Sequence, residues 1–200
     1  MITITPAVAA TGLLCRPHAT ATGFGHALAG VGPVFLAFLA VHLLAGLTAV
    51  TSGVLAATAR KQRGRHTRAG TVYYWAITAV SATAAAMTAM RPARDWYLFL
   101  LGAVAFALAT AGRDARRHPG RRPWSRWPRH TPHIIAMGGS YTVLITAFYV
   151  DNGKNLPLWD RLPTAAYWLL PAVVAAPIIV RAVRRYRRPT APARCIDSGR

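Results

Sequence analysis

The stretch VGPVFLAFLAVHLLAGLTAVTSGVLAAT, residues 31–58, decides the fold. It contains no Asp, Glu, Lys or Arg, and its one ionisable side chain is His42. A bilayer core about 30 Å thick is crossed by about 20 predominantly apolar residues in a helix. Backbone polar groups in lipid must find partners within the segment, which favours helices over open strands.

Outward from this block the pattern repeats. Residues 71–90, 96–112, 131–150 and 164–180 are also free of Asp, Glu, Lys and Arg. Their length and lack of alternation argue against barrel strands. The expected fold is therefore all-α, a polytopic transmembrane bundle of five spans. Residues 1–27 read as a poorly ordered extracytoplasmic leader and not a cleaved signal, since no basic segment and apolar run precede Cys15. Residues 28–188 hold the spans, and 189–200 form a cytoplasmic tail.

The charges lie between these blocks. The 200 residues carry a formal net charge of +19, with 24 basic side chains against five acids, all aspartate. Nineteen of the basic residues fall after spans one, three and five, and five fall on the other side. The positive-inside rule then puts the N-terminus outside and the C-terminus in the cytoplasm, in the plasma or inner membrane. This distribution accounts for the high charge without nucleic acid, whose recognition needs a continuous basic surface. Tyr73, Tyr74, Trp75, Trp124 and Trp127 mark the inner interface, and Trp96, Tyr97, Trp159, Tyr167 and Trp168 the outer one, where amphipathic rings are favoured. The segment 121–129, with Trp124 and Trp127 among arginines and prolines, is expected along the inner surface against anionic lipid headgroups. Cys15 and Cys195 fall on opposite sides and cannot pair within one chain.

Helical spacing predicts how the spans pack. Span one presents His42, Ala45, Gly46, Ala49, Ser52, Gly53 and Ala56 on one face, and Leu43, Leu44, Leu47, Val50, Val54 and Leu55 on the other. Small residues let helix backbones approach, while leucines suit lipid. Span two offers Tyr74, Thr78, Ser81, Ala85 and Thr88; span three Gly102, Ala105, Ala109 and Gly112; span four Gly139, Thr142, Thr146 and Tyr149. Pro171 and Pro177 should kink span five or leave carbonyls without partners.

His42 is the one ionisable group deep in a span, and such a residue is a functional candidate. It could bind haem b, relay a proton or contact a quinone; it could equally be a neutral imidazole bonded to a serine, threonine or tyrosine. Joint ligation of one haem by His42 and His133 fails on depth. His42 lies roughly 24 Å from the inner end of its span and His133 roughly 3 Å from the inner end of its own. A His42–Met87 pair is chemically allowed but no motif supports it. His66, His118, His130 and His133 gather at the inner face, where anchoring at the headgroup level is expected over metal binding, which usually takes three or four convergent ligands. No phosphate-binding loop, zinc-protease helix or nucleophile elbow occurs.

The run His42-x3-Gly46…Gly53, then Arg63-Gly-Arg-His66-x-Arg68-x-Gly70-x-Val72-Tyr73, with His133, Met137, Ser140 and Tyr141 later, resembles an uncharacterised bacterial multi-pass family, domain-of-unknown-function family 2306. The resemblance covers roughly residues 38–150. It implies a polytopic bacterial protein of unassigned activity and lends weight to His42, His66, Arg68, Gly70 and Tyr73 without giving them a role. Gly70 is expected to turn the chain before span two, with His66 and Arg68 at the headgroup plane.

The leading expectation is a small membrane component or partner subunit, non-enzymatic or of unassigned activity, contacting lipid or partner through His66, Arg68, Gly70, Tyr73, Trp124, Trp127, His130 and His133. A membrane-protein partner or a homo-oligomer fits this. One rival is a redox protein with haem b or quinone at His42. Another is a small-solute or proton carrier, against which stand the lack of an inverted repeat and of an embedded carboxylate.

Overall fold

The computed structural model describes residues 32–59, 64–118, 126–128, 130–157 and 161–187. The chain divides into two units, 1–33 and 34–200. Of the first only Gly32 and Pro33 are described, and the helical bundle is built by the second. The leader 1–27, the tail 189–200, Cys15, Cys195, Trp124 and Trp159 lie outside the described residues.

Among the described residues the structure is helical, without strands. The helices are α1 (Pro33–Thr58), α2 (Arg65–Met90), α3 (Pro92–Arg117), α4 (Thr131–Asn152) and α5 (Thr164–Arg187), with a 3₁₀ turn, Gly153–Asn155, after α4. A helix of 26 residues, such as α1, α2 or α3, is about 39 Å long at 1.5 Å per residue. Four helices, all but α2, are long and apolar enough to cross a membrane, so the chain is a membrane protein.

Packing explains why α2 differs. It is rich in Ala, Thr, Ser and Tyr, and it buries Tyr73, Ala76, Ile77, Val80, Thr83 and Ala84. Leu43, Leu44, Leu47 and Leu55 of α1 are each more than 60% exposed, as are Leu169, Val173 and Ile178 of α5. A helix covered by neighbours needs small residues for close approach, whereas one facing lipid needs bulk apolar surface. The core joins Ala49 of α1, Tyr73, Ile77 and Val80 of α2, Ala105 and Ala109 of α3, and Leu144 of α4.

Helix α3 packs between α2 and α4, and α5 packs on α4. Gly102, Ala105, Ala109 and Gly112 form its buried edge, as their spacing predicts. Ser81 Oγ of α2 donates to the Gly102 carbonyl at 2.9 Å. Span one also follows its predicted faces, with Ala49 and Ser52 buried. Val50 is the exception: it packs against the core, and its carbonyl accepts the Tyr141 hydroxyl at 3.4 Å. The stripe predicted for span two is displaced, because the face one residue around, from Tyr73 to Ala84, is the buried one. Hydroxyl spacing alone does not distinguish the two faces, since threonines satisfy themselves on their own helix. Thr78, for example, donates to the Tyr74 carbonyl at 2.8 Å.

Two boundaries also differ from expectation. Helix α2 begins at Arg65, so Gly70 lies inside it and turns nothing. The turn is made at Gly64, whose φ of 134° is in the region open to glycine. Helix α5 runs unbroken through Pro171 and Pro177 to Arg187. Neither proline has an N–H, so the carbonyls of Tyr167 and Val173 go without their usual helical donor.

Candidate functional site

The end of α1, the start of α2, the end of α3 and the start of α4 meet at one end of the bundle, which carries Arg65, Arg68, Arg113, Arg116 and Arg117. From this basic end a cavity of about 760 Å³ extends between the helices. Its walls include Gly53 and Ala56 of α1, His66, Gly70, Tyr73 and Tyr74 of α2, Arg113, Arg116 and Arg117 of α3, His133, Met137, Tyr141 and Tyr149 of α4, and Pro171, Val174 and Ile178 of α5. From His133 to Tyr149 along α4 the lining runs roughly 24 Å at helical rise. Most of that length is aliphatic or aromatic, and the cationic groups gather at the basic end.

Two histidines frame this end. His66 lies in the first turn of α2, and its Nδ1 donates to the Ala56 carbonyl at 2.8 Å. His133 lies in the first turn of α4, and its Nδ1 donates to the Gly112 carbonyl at 2.8 Å. A carbonyl oxygen only accepts, so Nδ1 holds the hydrogen in each neutral ring and Nε2 holds the lone pair. The ring centroids are 6.3 Å apart and the planes stand at 82°. The Arg113 guanidinium lies 4.3 Å from the centre of the Tyr74 ring, a cation–π contact that anchors it at the cavity edge.

Deeper in, tyrosines and a serine tie the walls together. Tyr73 Oη and Ser140 Oγ are 2.8 Å apart, and Ser140 Oγ donates to the Ala105 carbonyl at 2.7 Å. Ser140 has one hydrogen and gives it to that carbonyl, so Tyr73 is the donor to Ser140. The chain of bonds links α2, α4 and α3. The Tyr73 and Tyr141 rings are 6.3 Å apart, both near Gly53 of α1. A Cβ on Gly53 would lie 2.6 Å from a ring carbon of Tyr141, so only glycine lets α1 approach here. Among the described residues no buried side-chain polar atom lacks a partner.

His42 sits apart from this cavity. It is half-buried on α1, and its Nδ1 is 2.9 Å from Thr83 Oγ1 on α2. That hydroxyl is also 2.8 Å from the Ala79 carbonyl, to which it donates. The imidazole is therefore the donor to Thr83, and the bond ties α1 to α2.

Of the residues singled out from sequence, His66, Gly70, Tyr73 and His133 share the cavity wall. Arg68, Trp127 and His130 are exposed near the basic end. His118 pairs with Asp114 on α3 at 3.0 Å. Among the described residues no group of three His, Cys, Asp or Glu could hold a metal ion. Sequence reasoning missed Arg113, Arg116 and Arg117 as a set lining the cavity; it grouped His66 and His133 with His118 and His130 but not as a pair in ring contact. The signal was present, since both histidines lie in the first turns of their helices, α2 and α4.

No family model matches the chain, and neither a curated protein nor a solved structure is significantly similar to it.

Proposed function

We propose that this chain is a five-span protein of the cell membrane, N-terminus outside and C-terminus in the cytoplasm, that holds an anionic amphiphile in its central cavity. It serves as a small membrane component or partner subunit rather than as a catalyst. The observation that carries this reading is the polarity of this half-open cavity: a long apolar lining with Arg113, Arg116, Arg117, His66 and His133 gathered at one end. An acidic head at the arginines and an apolar body among Met137, Val174 and Ile178 would satisfy both parts.

Several features support the finer points. Helix α2 has the length of a span, and its low apolar content matches a helix covered by its neighbours. The basic end coincides with the side holding 19 of the 24 basic residues, which favours the cytoplasmic assignment. Part of the pattern that resembles family 2306 also converges: Gly53, His66, Gly70, Tyr73, His133, Met137 and Tyr141 line the cavity, while His42, Gly46 and Ser140 do not. A motif spread over three helices that collects around one cavity is the pattern expected of a binding site.

Native mass spectrometry of the protein released from mild detergent tests the binding. The wild type should retain an acidic amphiphile, and the triple variant Arg113→Ala/Arg116→Ala/Arg117→Ala should lose it about tenfold or more, as removal of charge-assisted bonds predicts. An adduct-free wild type, or equal retention by the variant, overturns the reading. For the orientation, a membrane-impermeant thiol reagent on intact cells should label Cys15 and spare Cys195. The reverse pattern breaks it.

A further inference from the structure

We infer that the cavity's occupant is a lipid phosphate monoester with a single chain longer than one leaflet, its head at Arg113, Arg116 and Arg117 and its chain in the groove between α4 and α5. This rests on the cavity being an anionic-amphiphile site and names the class of amphiphile.

The cavity has two parts. Its basic end takes residues from all five helices. Beyond Tyr141 the described lining narrows to two helices, with Thr142, Ile145 and Tyr149 of α4 facing Leu170, Pro171 and Val174 of α5. This second part is open along one flank. Val174 and Ile178 line it and are still 56% and 65% exposed. In a membrane that flank meets lipid, so a chain enters the groove sideways and its head follows along the interface.

The head is set by charge. Three arginines fall within five residues of α3, and among the described lining residues there is no carboxylate. The Arg113 guanidinium is held 4.3 Å from the centre of the Tyr74 ring. A phosphate monoester carries a charge of about −1.5 to −2 at neutral pH and three acceptor oxygens, more than a carboxylate offers on either count. Guanidinium groups bind phosphate through paired bonds, and basic pockets between membrane helices suit lipid phosphates. Gly70 leaves space at this end, since a Cβ there would meet nothing within 4 Å.

The chain is set by the groove. Its hydroxyls are committed to backbone: Thr142 donates to the Gly138 carbonyl at 2.8 Å, and Tyr141 at its mouth donates to the Val50 carbonyl at 3.4 Å. A plain hydrocarbon fits such walls, and one groove between one pair of helices takes one chain. Length then discriminates. From His133 to Tyr149 the lining runs roughly 24 Å at helical rise, whereas one leaflet of hydrocarbon is about 15 Å deep. A chain confined to one leaflet stops short of Ile145 and Tyr149, and a longer one reaches them.

The test is competition read by native mass spectrometry on the full chain in mild detergent. The probes are a long-chain polyprenyl monophosphate, the matching alcohol, a long-chain fatty acid, phosphatidic acid and inorganic phosphate. The prenyl monophosphate should be retained about tenfold or more over the alcohol and the fatty acid, as charge-assisted bonds to phosphate predict. It should displace phosphatidic acid at equal concentration, and inorganic phosphate should not displace it. Ala175→Trp, which fills the groove, should weaken the long-chain probe about tenfold and spare a short-chain monophosphate. Gly70→Leu, placed in open space, should weaken both. The wild-type competition stands even if either variant fails to fold. Equal retention of the fatty acid or the alcohol overturns the phosphate head. Preference for phosphatidic acid overturns the single long chain, and displacement by inorganic phosphate overturns the groove. In any of these cases, retention of another acidic amphiphile that depends on the three arginines leaves the cavity reading standing. A chain that retains no acidic amphiphile sinks both.

Discussion

The histidine in the middle of α1 and the two at the basic end have the same tautomer but opposite settings. His42 gives its Nδ1 hydrogen to Thr83 and ties two helices together. His66 and His133 give theirs to backbone carbonyls at helix ends and face one cavity. Depth in the membrane makes a titratable residue costly, and His42 offsets that cost with an interhelical bond. It does not place the residue on a cavity. The basic end, where a histidine costs less, is where the helices leave room for a ligand.

The sharpest way to break this contrast is at Gly53, where the α1 backbone meets Tyr73 and Tyr141. Gly53→Leu should destabilise the bundle by about 3 kcal/mol, the upper range for overpacking, and push α1 off the cavity wall. Thermal unfolding in detergent reads the first effect and ligand retention the second. An unchanged midpoint would mean that α1 does not pack as closely as the rings imply. Ser140→Ala comes next. It leaves the Tyr73 hydroxyl without its acceptor, at a cost of about 1–2 kcal/mol. The double variant Tyr73→Phe/Ser140→Ala should recover much of that loss, and a failure to recover would show that the two hydroxyls are not coupled. The smallest effect is expected at the His42 pair. Thr83→Val should cost about 0.6 kcal/mol, typical of a membrane interhelical bond, and leave ligand retention unchanged. A loss of ligand in Thr83→Val would erase the distinction between the two settings.

Much of the bundle is legible in the sequence. The apolar blocks and small-residue edges of α1 and α3 follow from composition and a 3.6-residue period. The Gly102–Gly112 edge can be read because nothing but close approach explains four small residues at that spacing. The buried face of α2 cannot, because Thr78 and Ser81 look polar enough to seek the interior, while Tyr73, one position around, takes it. Gly70 reads as the turn in place of Gly64 because an isolated glycine looks alike inside a helix and at its end. The cavity is the least legible. Arg113, Arg116 and Arg117 resemble an ordinary flanking cluster until α1 and α5 are seen to leave a gap beside them.

By itself, then, the sequence determined that this chain lives in a membrane as a bundle of helices, because the bilayer's demand for apolar length and satisfied backbone acts on each segment separately. Only the tertiary structure decided that His66 and His133 come together in the wall of one cavity while His42 does not. That outcome depends on which helix faces meet, and a hydropathy pattern records the cost of burial without recording the neighbour.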